Sequence, residues 1–242
     1  MRLDKYLQTK FNLKSRTYAE NLVLTGKVKA DGKTVLKPSF DVGDKCIVEI
    51  VDDEKFASQG AYKLEKALNA FSIDVQNEYC LDIGCSNGGF CDVLLRRGAD
   101  KILAVDVAEC ALDDSVLKSG KVEFLRANAR ELPLDNNLFD FVCSDVSFIS
   151  LTYILGEIFR VLKPDGDSVV LIKPQFELDK SALDKNGIVK TEKLRERAKN
   201  TVTEFATNLG FKVLGVETAP IRYQNKNVEY LLYLKKQSAP SK

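Results

Sequence analysis

The chain contains no histidine among its 242 residues, and this absence narrows the chemistry open to it. Nucleophiles activated by an imidazole are excluded, so a proton taken from a substrate must go to Lys, Asp, Glu or Tyr. Cys-x-x-Cys spacing is also missing, since Cys46, Cys80, Cys85, Cys91, Cys110 and Cys143 are scattered singly. They suggest neither a metal site nor a disulfide framework, and the expected compartment is the reducing cytoplasm. No apolar run approaches the roughly 18 residues of a membrane span, and the basic start lacks the apolar stretch of a signal peptide. Net charge is nearly nil, 36 Lys and Arg against 35 Asp and Glu, so the average does not point to a polyanion.

The charge that is present is unevenly placed. Residues 1–37 carry nine basic side chains (Arg2, Lys5, Lys10, Lys14, Arg16, Lys27, Lys29, Lys33 and Lys37) and three acids (Asp4, Glu20 and Asp31), which leaves the remainder slightly acidic. A basic head on an acidic body fits a polyanion-binding module, or simply a solvated surface. In the head, Leu3, Leu7 and Phe11 recur at helical spacing and Ser15 opens a second helix through Val23. From Lys27 the pattern turns to alternation, with Val28, Ala30, an Asp31-Gly32 turn, Val35, Cys46, Val48 and Ile50. Residues 1–50 are therefore expected to form a small α+β domain and 51–57 a linker. A second domain is expected over 58–237, with 238–242 as a tail.

In the second domain strand and helix patterns alternate, as in a doubly wound α/β fold. Strands are predicted over 79–83, 102–107, 122–125, 139–144, 168–172, 212–217 and 228–234. Helices are predicted over 62–71, 91–97, 147–162 and 191–209. The result is a Rossmann-like seven-stranded sheet whose last two strands form a hairpin. After the first strand stands Leu81-Asp82-Ile83-Gly84-Cys85-Ser86-Asn87-Gly88-Gly89-Phe90, a glycine turn opening a helix, where open α/β sheets bind ligands. One strand-helix-strand later Asp106 ends a strand, suited to two ribose hydroxyls. Together these imply a nucleoside-containing cofactor. The glycines do not read as Gly-x-Gly-x-x-Gly, and Asp82 precedes the first by two, which favours a methyl donor over a dinucleotide or a purely structural turn. Asn128 and Asp145, at the ends of later strands, are further cofactor candidates.

The acceptor is read from the segment after the fourth strand. Methylation of an exocyclic amine uses Asn or Asp before Pro-Pro and an aromatic, and cytosine carbon-five chemistry needs a cysteine after proline. Cys143-Ser144-Asp145-Val146-Ser147-Phe148 fits neither. Instead Lys63, Asp145, Lys173 and Glu229 recur at the ends of separate elements, a set suited to a hydroxyl acceptor, although each alone would pass for a surface ion pair. A hydroxyl is a weak acid, and a lysine whose ammonium is destabilised by burial or by a second lysine can take its proton. Lys173 is the candidate base, Lys63 the second positive charge, and Asp145 and Glu229 the orienting groups.

These segments resemble the TlyA-type haemolysin/rRNA methyltransferases, in which an S4-like RNA-binding module precedes an FtsJ-like 2′-O-methyltransferase. The resemblance runs nearly end to end. Arg2 to Leu7, Ser15-Arg16, Gly26 to Val28, Asp31 to Lys33 and Lys37-Pro38 look like the front module; Lys63-Leu64, Asp82 to Phe90, Ser144 to Leu151, Lys173 to Glu177 and Asn227 to Glu229 look like the catalytic motifs. It implies S-adenosyl-L-methionine as cofactor, held by Asp82, Gly84, Ser86, Asn87, Gly88, Gly89, Phe90, Asp106, Asn128 and Asp145, and a Lys-Asp-Lys-Glu tetrad on Lys63, Asp145, Lys173 and Glu229. RNA contacts are implied at Arg2, Lys5, Lys14, Arg16, Lys27, Lys33 and Lys37, and the expected product is a 2′-O-methylated cytidine in ribosomal RNA. The short termini resemble members that modify only the large-subunit RNA. Two departures stand out: Ser58-Gln59-Gly60-Ala61 replaces Ser-Arg-Gly-Gly, and Cys85 and Asn87 occupy positions where Ala and Thr are common. Arg2-Leu3-Asp4, similar to a pseudouridine-synthase motif, is expected to be structural, and lysis at most indirect. The rival reading is a non-catalytic ribosome assembly factor, which need not bind the cofactor. A small-molecule methyltransferase leaves the basic head unexplained.

Overall fold

The computed structural model describes residues 1–13, 15–24, 26–43, 45–51, 56–220 and 226–238. Lys14, most of the expected linker and the end of the expected tail lie outside them. The chain divides into two compact units, the first running to Lys55 and the second beginning at Phe56.

In the first unit α1 (Leu3–Lys10) and α2 (Arg16–Leu24) precede β1 (Val28–Ala30), β2 (Lys33–Thr34) and β3 (Val48–Ile50). The strands form an antiparallel sheet in the order β2-β1-β3. Leu3, Leu7, Ala19, Leu22, Val23 and Val28 are buried, as the helical spacing requires. Asp4 is fully buried and accepts hydrogen bonds from the guanidiniums of Arg2 (2.9 Å) and Arg16 (2.7 Å) and from the Lys5 amide (2.8 Å). Burial alone would raise its pKa, but the two arginines reverse that and hold the carboxyl well below its ordinary value. The Arg2-Leu3-Asp4 sequence thus locks the two helices together.

The second unit begins with α3 (Ala61–Phe71), then β4 (Tyr79–Ile83), α4 (Gly89–Arg96), β5 (Lys101–Asp106), α5 (Asp114–Leu117), β6 (Val122–Arg126) and β7 (Phe139–Ser144). It continues with α6 (Leu155–Val161), β8 (Leu162–Ile172), α7 (Pro174–Glu177), α8 (Glu192–Leu209), β9 (Phe211–Thr218) and β10 (Tyr230–Lys236). The strand order is β6-β5-β4-β7-β8-β10-β9. Pairing is parallel from β6 to β8, and β10 is antiparallel to both its neighbours. The central strands are covered on both faces and read as near-continuous apolar runs, whereas edge strand β6 is largely exposed. Leu155, Ile158, Val161, Val202 and Ala206 from α6 and α8 cover one face of the sheet in a single buried cluster with Ile83, Val142, Val170 and Leu232. Thr191 caps α8 by accepting from the Leu194 amide, and Gly210, in the left-handed region, ends it.

Three expectations shift. Phe56 and Ala57, placed in the linker, are buried: Phe56 meets Tyr62 edge-on at 5.2 Å, and the Ala57 amide donates to Asp92. The helix expected from Ser147 starts only at a short 3-10 turn over Leu151–Tyr153 before α6, because Phe148 adopts φ +64° and breaks the helical path. Val228 lies outside the last strand, which begins at Tyr230.

Candidate active site

Parallel strands β4, β5, β7 and β8 deliver their carboxyl ends to one edge of the sheet, and antiparallel β10 returns its first residue there, Tyr230 pairing with Ile172. Asp145 follows β7, Lys173 follows β8, and Glu229 precedes β10. Pro174 restricts Lys173 to extended backbone (φ −111°, ψ 96°), which continues the strand direction for one more residue. Lys63 comes from the first turn of α3.

The four side chains form a chain of ion pairs. Lys173 Nζ lies 2.7 Å from Asp145 Oδ1, Lys63 Nζ lies 3.0 Å from Asp145 Oδ2, and Lys63 Nζ lies 2.7 Å from Glu229 Oε2. All four side chains are at most one-fifth exposed. Two ammoniums offset two carboxylates, so the group is neutral and its partial burial is tolerable. Burial pulls the Lys63 ammonium down, but Asp145 and Glu229 more than reverse this and hold it above its ordinary pKa. Asp145 shows the converse: burial would raise it, yet Lys63 and Lys173 hold it below the usual carboxylate range. The second positive charge expected at Lys63 is thus held firmly by two carboxylates.

Lys173 Nζ also donates to Ser147 Oγ at 2.8 Å, a partner that sequence reasoning did not single out. Its signal was available, since Ser147 stands two residues after Asp145 at the same strand end. Beside it Phe148 is 90% exposed, with its ring 5.1 Å from that of Phe176. Glu177 accepts hydrogen bonds from Ser150 Oγ and, at 2.9 Å, from the Leu151 amide, which fixes the turn carrying these residues.

The glycine turn lies on the same edge. Gly84, at φ +84°, donates to Val105 O, and a Cβ there would stand 3.0 Å from the Asp145 carbonyl. At Gly89, the first residue of α4, a Cβ would fall 2.0 Å from Ser58 Oγ and 3.2 Å from the Ala61 amide nitrogen, so a larger residue there must displace the Ser58 hydroxyl. Ser86 and Asn87 are exposed, while Gly88, Gly89 and Phe90 are buried beneath them. Asp106 accepts from the Ser86 amide (3.1 Å) and the Ala108 amide (3.0 Å), one on each carboxylate oxygen. Asn128 is exposed and accepts from the Arg130 amide.

Asp82 is placed elsewhere than expected. Its side chain has no exposed surface and accepts from Cys91 Sγ at 3.2 Å and Cys143 Sγ at 3.8 Å beneath the turn, so it supports the turn rather than facing a ligand. Burial pushes its pKa up to about 7. Of the basic residues read as RNA contacts, Arg2 and Arg16 are half exposed and tied to Asp4, Lys5, Lys33 and Lys37 are exposed, and Lys27 is partly covered.

A seven-stranded sheet with this inserted antiparallel strand, a glycine turn after its first strand and a carboxylate ending its second defines a nucleoside-cofactor transferase of the methyltransferase class. The chain belongs to the FtsJ-like methyltransferase family, which matches residues 56–236, and an S4 domain matches residues 1–45. Its cofactor is S-adenosylmethionine. Hemolysin A of Brachyspira hyodysenteriae is 36% identical over 96% of this chain and 99% of its own length. The 16S/23S rRNA (cytidine-2′-O)-methyltransferase TlyA of Mycobacterium tuberculosis is 39% identical over 98% of this chain and 90% of its own. Among solved structures, a putative hemolysin from Streptococcus thermophilus is similar at a TM-score of 0.72 and 34% identity, over 99% of this chain and 90% of that one. No helix among the described residues is long and apolar enough to cross a membrane.

Proposed function

We propose that the chain methylates a ribose 2′-hydroxyl of a cytidine in ribosomal RNA, with Lys63, Asp145, Lys173 and Glu229 as its catalytic set. The observation that carries the reading is the neutral four-residue chain of ion pairs at the cofactor edge. An ammonium has three donor positions. Lys173 donates one to Ser147 and is ion-paired with Asp145 at 2.7 Å, which leaves a position for the acceptor oxygen. Lys63 is the poorer base, since two carboxylates hold its proton, whereas Lys173 touches one carboxylate and a neutral hydroxyl. Lys63 then serves as fixed positive charge, and Lys173, in its neutral amine form, accepts the proton of the attacking hydroxyl on its lone pair, becomes an ammonium, and later returns that proton to solvent.

The turn and Asp106 fit the cofactor. A carboxylate offers about four lone pairs, and two backbone amides leave two of those on Asp106 for a ribose diol. S-adenosylmethionine supplies a sulfonium methyl, an electrophile that needs no metal. Gly84, Ser86, Asn87, Gly88 and Gly89 let it approach the backbone. Phe148 offers an exposed ring on which an unpaired base stacks. The front unit grips RNA through Lys5, Lys27, Lys33, Lys37 and the outer edges of Arg2 and Arg16, with Lys14 added from the sequence, mainly at phosphates. Ribosomal RNA as the partner supports a cytoplasmic location, and free cysteines are in keeping with it.

The test is Lys173→Ala. Methyl transfer to ribosomal RNA is expected to fall by at least about 100-fold, the low end of general-base contributions, while calorimetric affinity for S-adenosylmethionine changes little. Normal turnover would remove the assignment, and an unmodified wild-type protein that does not bind the cofactor would favour the assembly-factor reading. Mass mapping of both ribosomal RNAs from cells with and without the protein identifies the subunit.

A further inference from the structure

Cys85 and Cys110 have no part in the methyl-transfer reading, yet fold topology brings them together beside Asp106. Cys85 stands in the turn after β4, its amide donating to Val105 O at 3.2 Å, and Cys110 lies in the irregular stretch that follows β5. Both are free thiols. The two sulfur atoms and a carboxylate oxygen of Asp106 all lie within 4.8 Å of one another.

We propose that Cys85, Asp106 and Cys110 form a binding site for a thiophilic divalent cation of the zinc type. Two sulfur donors with one oxygen select such an ion over magnesium or calcium, which take oxygen ligands. Zinc–sulfur bonds of about 2.3 Å set the two sulfurs about 3.8 Å apart in a tetrahedron, so bringing the sulfurs onto the ion needs a change of about 1 Å in their separation. Cys110 is able to supply it, since it lies in a stretch outside helix and strand, its thiol donating to Ala108 O at 3.6 Å. Metal-bound carboxylates are themselves held by hydrogen bonds, and Asp106 is held by the amides of Ser86 and Ala108. Binding converts two thiols to thiolates, forms two metal–sulfur bonds and one metal–oxygen bond, and releases two protons to solvent. A fourth position stays open to water.

One consequence rests on the reading of Asp106 as the ribose acceptor. The same carboxylate cannot serve the ion and the sugar together, so the ion competes with the cofactor.

The experiment titrates Co2+, then Zn2+, into the reduced full-length protein without cofactor. One equivalent of Co2+ is expected to give the intense visible bands of tetrahedral thiolate-bound cobalt, with two protons released per ion, and Zn2+ is expected to displace it. Cys110→Ser, at a partly exposed loop position, should weaken binding more than the roughly 10-fold that loss of an outer-shell partner costs, and Cys46→Ser, in the front unit, should leave it unchanged. No thiolate–cobalt bands in the wild type, or equal affinity in Cys110→Ser, overturns the site. Cofactor affinity that is indifferent to saturating Zn2+, with Cys110-dependent metal binding intact, would remove Asp106 from the cofactor reading and leave the metal site standing.

Discussion

Two lysines with the same intrinsic chemistry are given different surroundings here. Lys63 sits between Asp145 and Glu229, while Lys173 shares Asp145 and leans on Ser147. That asymmetry makes Ser147 a positioning residue, because it fixes one of the three donor directions of Lys173 and so aims another. Ser147→Ala removes one neutral hydrogen bond worth about 1 kcal/mol, and kcat is expected to fall roughly fivefold with cofactor affinity unchanged. A loss confined to cofactor affinity would show that Ser147 acts on the turn instead. Sequence reasoning reached the four charged residues because charge at a strand end is conspicuous. It passed over Ser147 because a hydroxyl in a polar segment carries no such mark. Asp82 misled for a related reason: an acid two residues before a glycine turn reads as a ligand contact, but alternation within β4 turns its side chain under the turn, onto Cys91 and Cys143.

The elements legible in the sequence are the ones with strong periodicity. The central strands, buried on both faces, stand out as apolar runs, and α8 announces itself by Thr191 and Gly210 at its two ends. What escaped was short or bent. The 4-residue helices α5 and α7 are too brief to show a period, and the left-handed Phe148 delays α6 in a way that no propensity signals. The join between α6 and β8 rests on Lys236, which comes from the far end of β10 and donates to Phe159 O (2.6 Å), Leu162 O (2.7 Å) and Asn137 Oδ1 (2.8 Å). Burial lowers its pKa, but three acceptors at a helix C-terminus keep an ammonium in place. Lys236→Ala strands these groups, and about 2 kcal/mol or more should be lost. Thermal melting should then drop by several degrees; an unchanged midpoint would mean that water replaces the ammonium without loss.

At the scale of the molecule, two carboxyls set the alkaline limb of stability. Burial raises Asp82 from 3.8 to about 7, and burial together with Asp140, Asp167 and Asp74 raises Glu78 from 4.5 to about 7. The folded state holds these protons more tightly than the unfolded chain, so their contribution is full below about pH 4 and fades as pH rises through about 7. Asp4 and Asp145, held below their ordinary values, act oppositely and lose their contribution in acid. Glu78→Gln should therefore melt above the wild type at pH 8 and level with it at pH 5; an equal offset at both pH values would show that packing, and not titration, is responsible. Removal of residues 1–50 should weaken ribosomal RNA binding in a salt-dependent manner while the second unit keeps its cooperative melt, and undiminished RNA affinity would end the proposed division of labour. The place of β10 has a consequence for folding. Glu229 stands at the head of β10, and without it Lys63 lacks one of its two carboxylates. The four-residue charge group therefore exists only once β10 has slotted between β8 and β9, so the proposed centre is assembled by long-range strand pairing and not by any local segment.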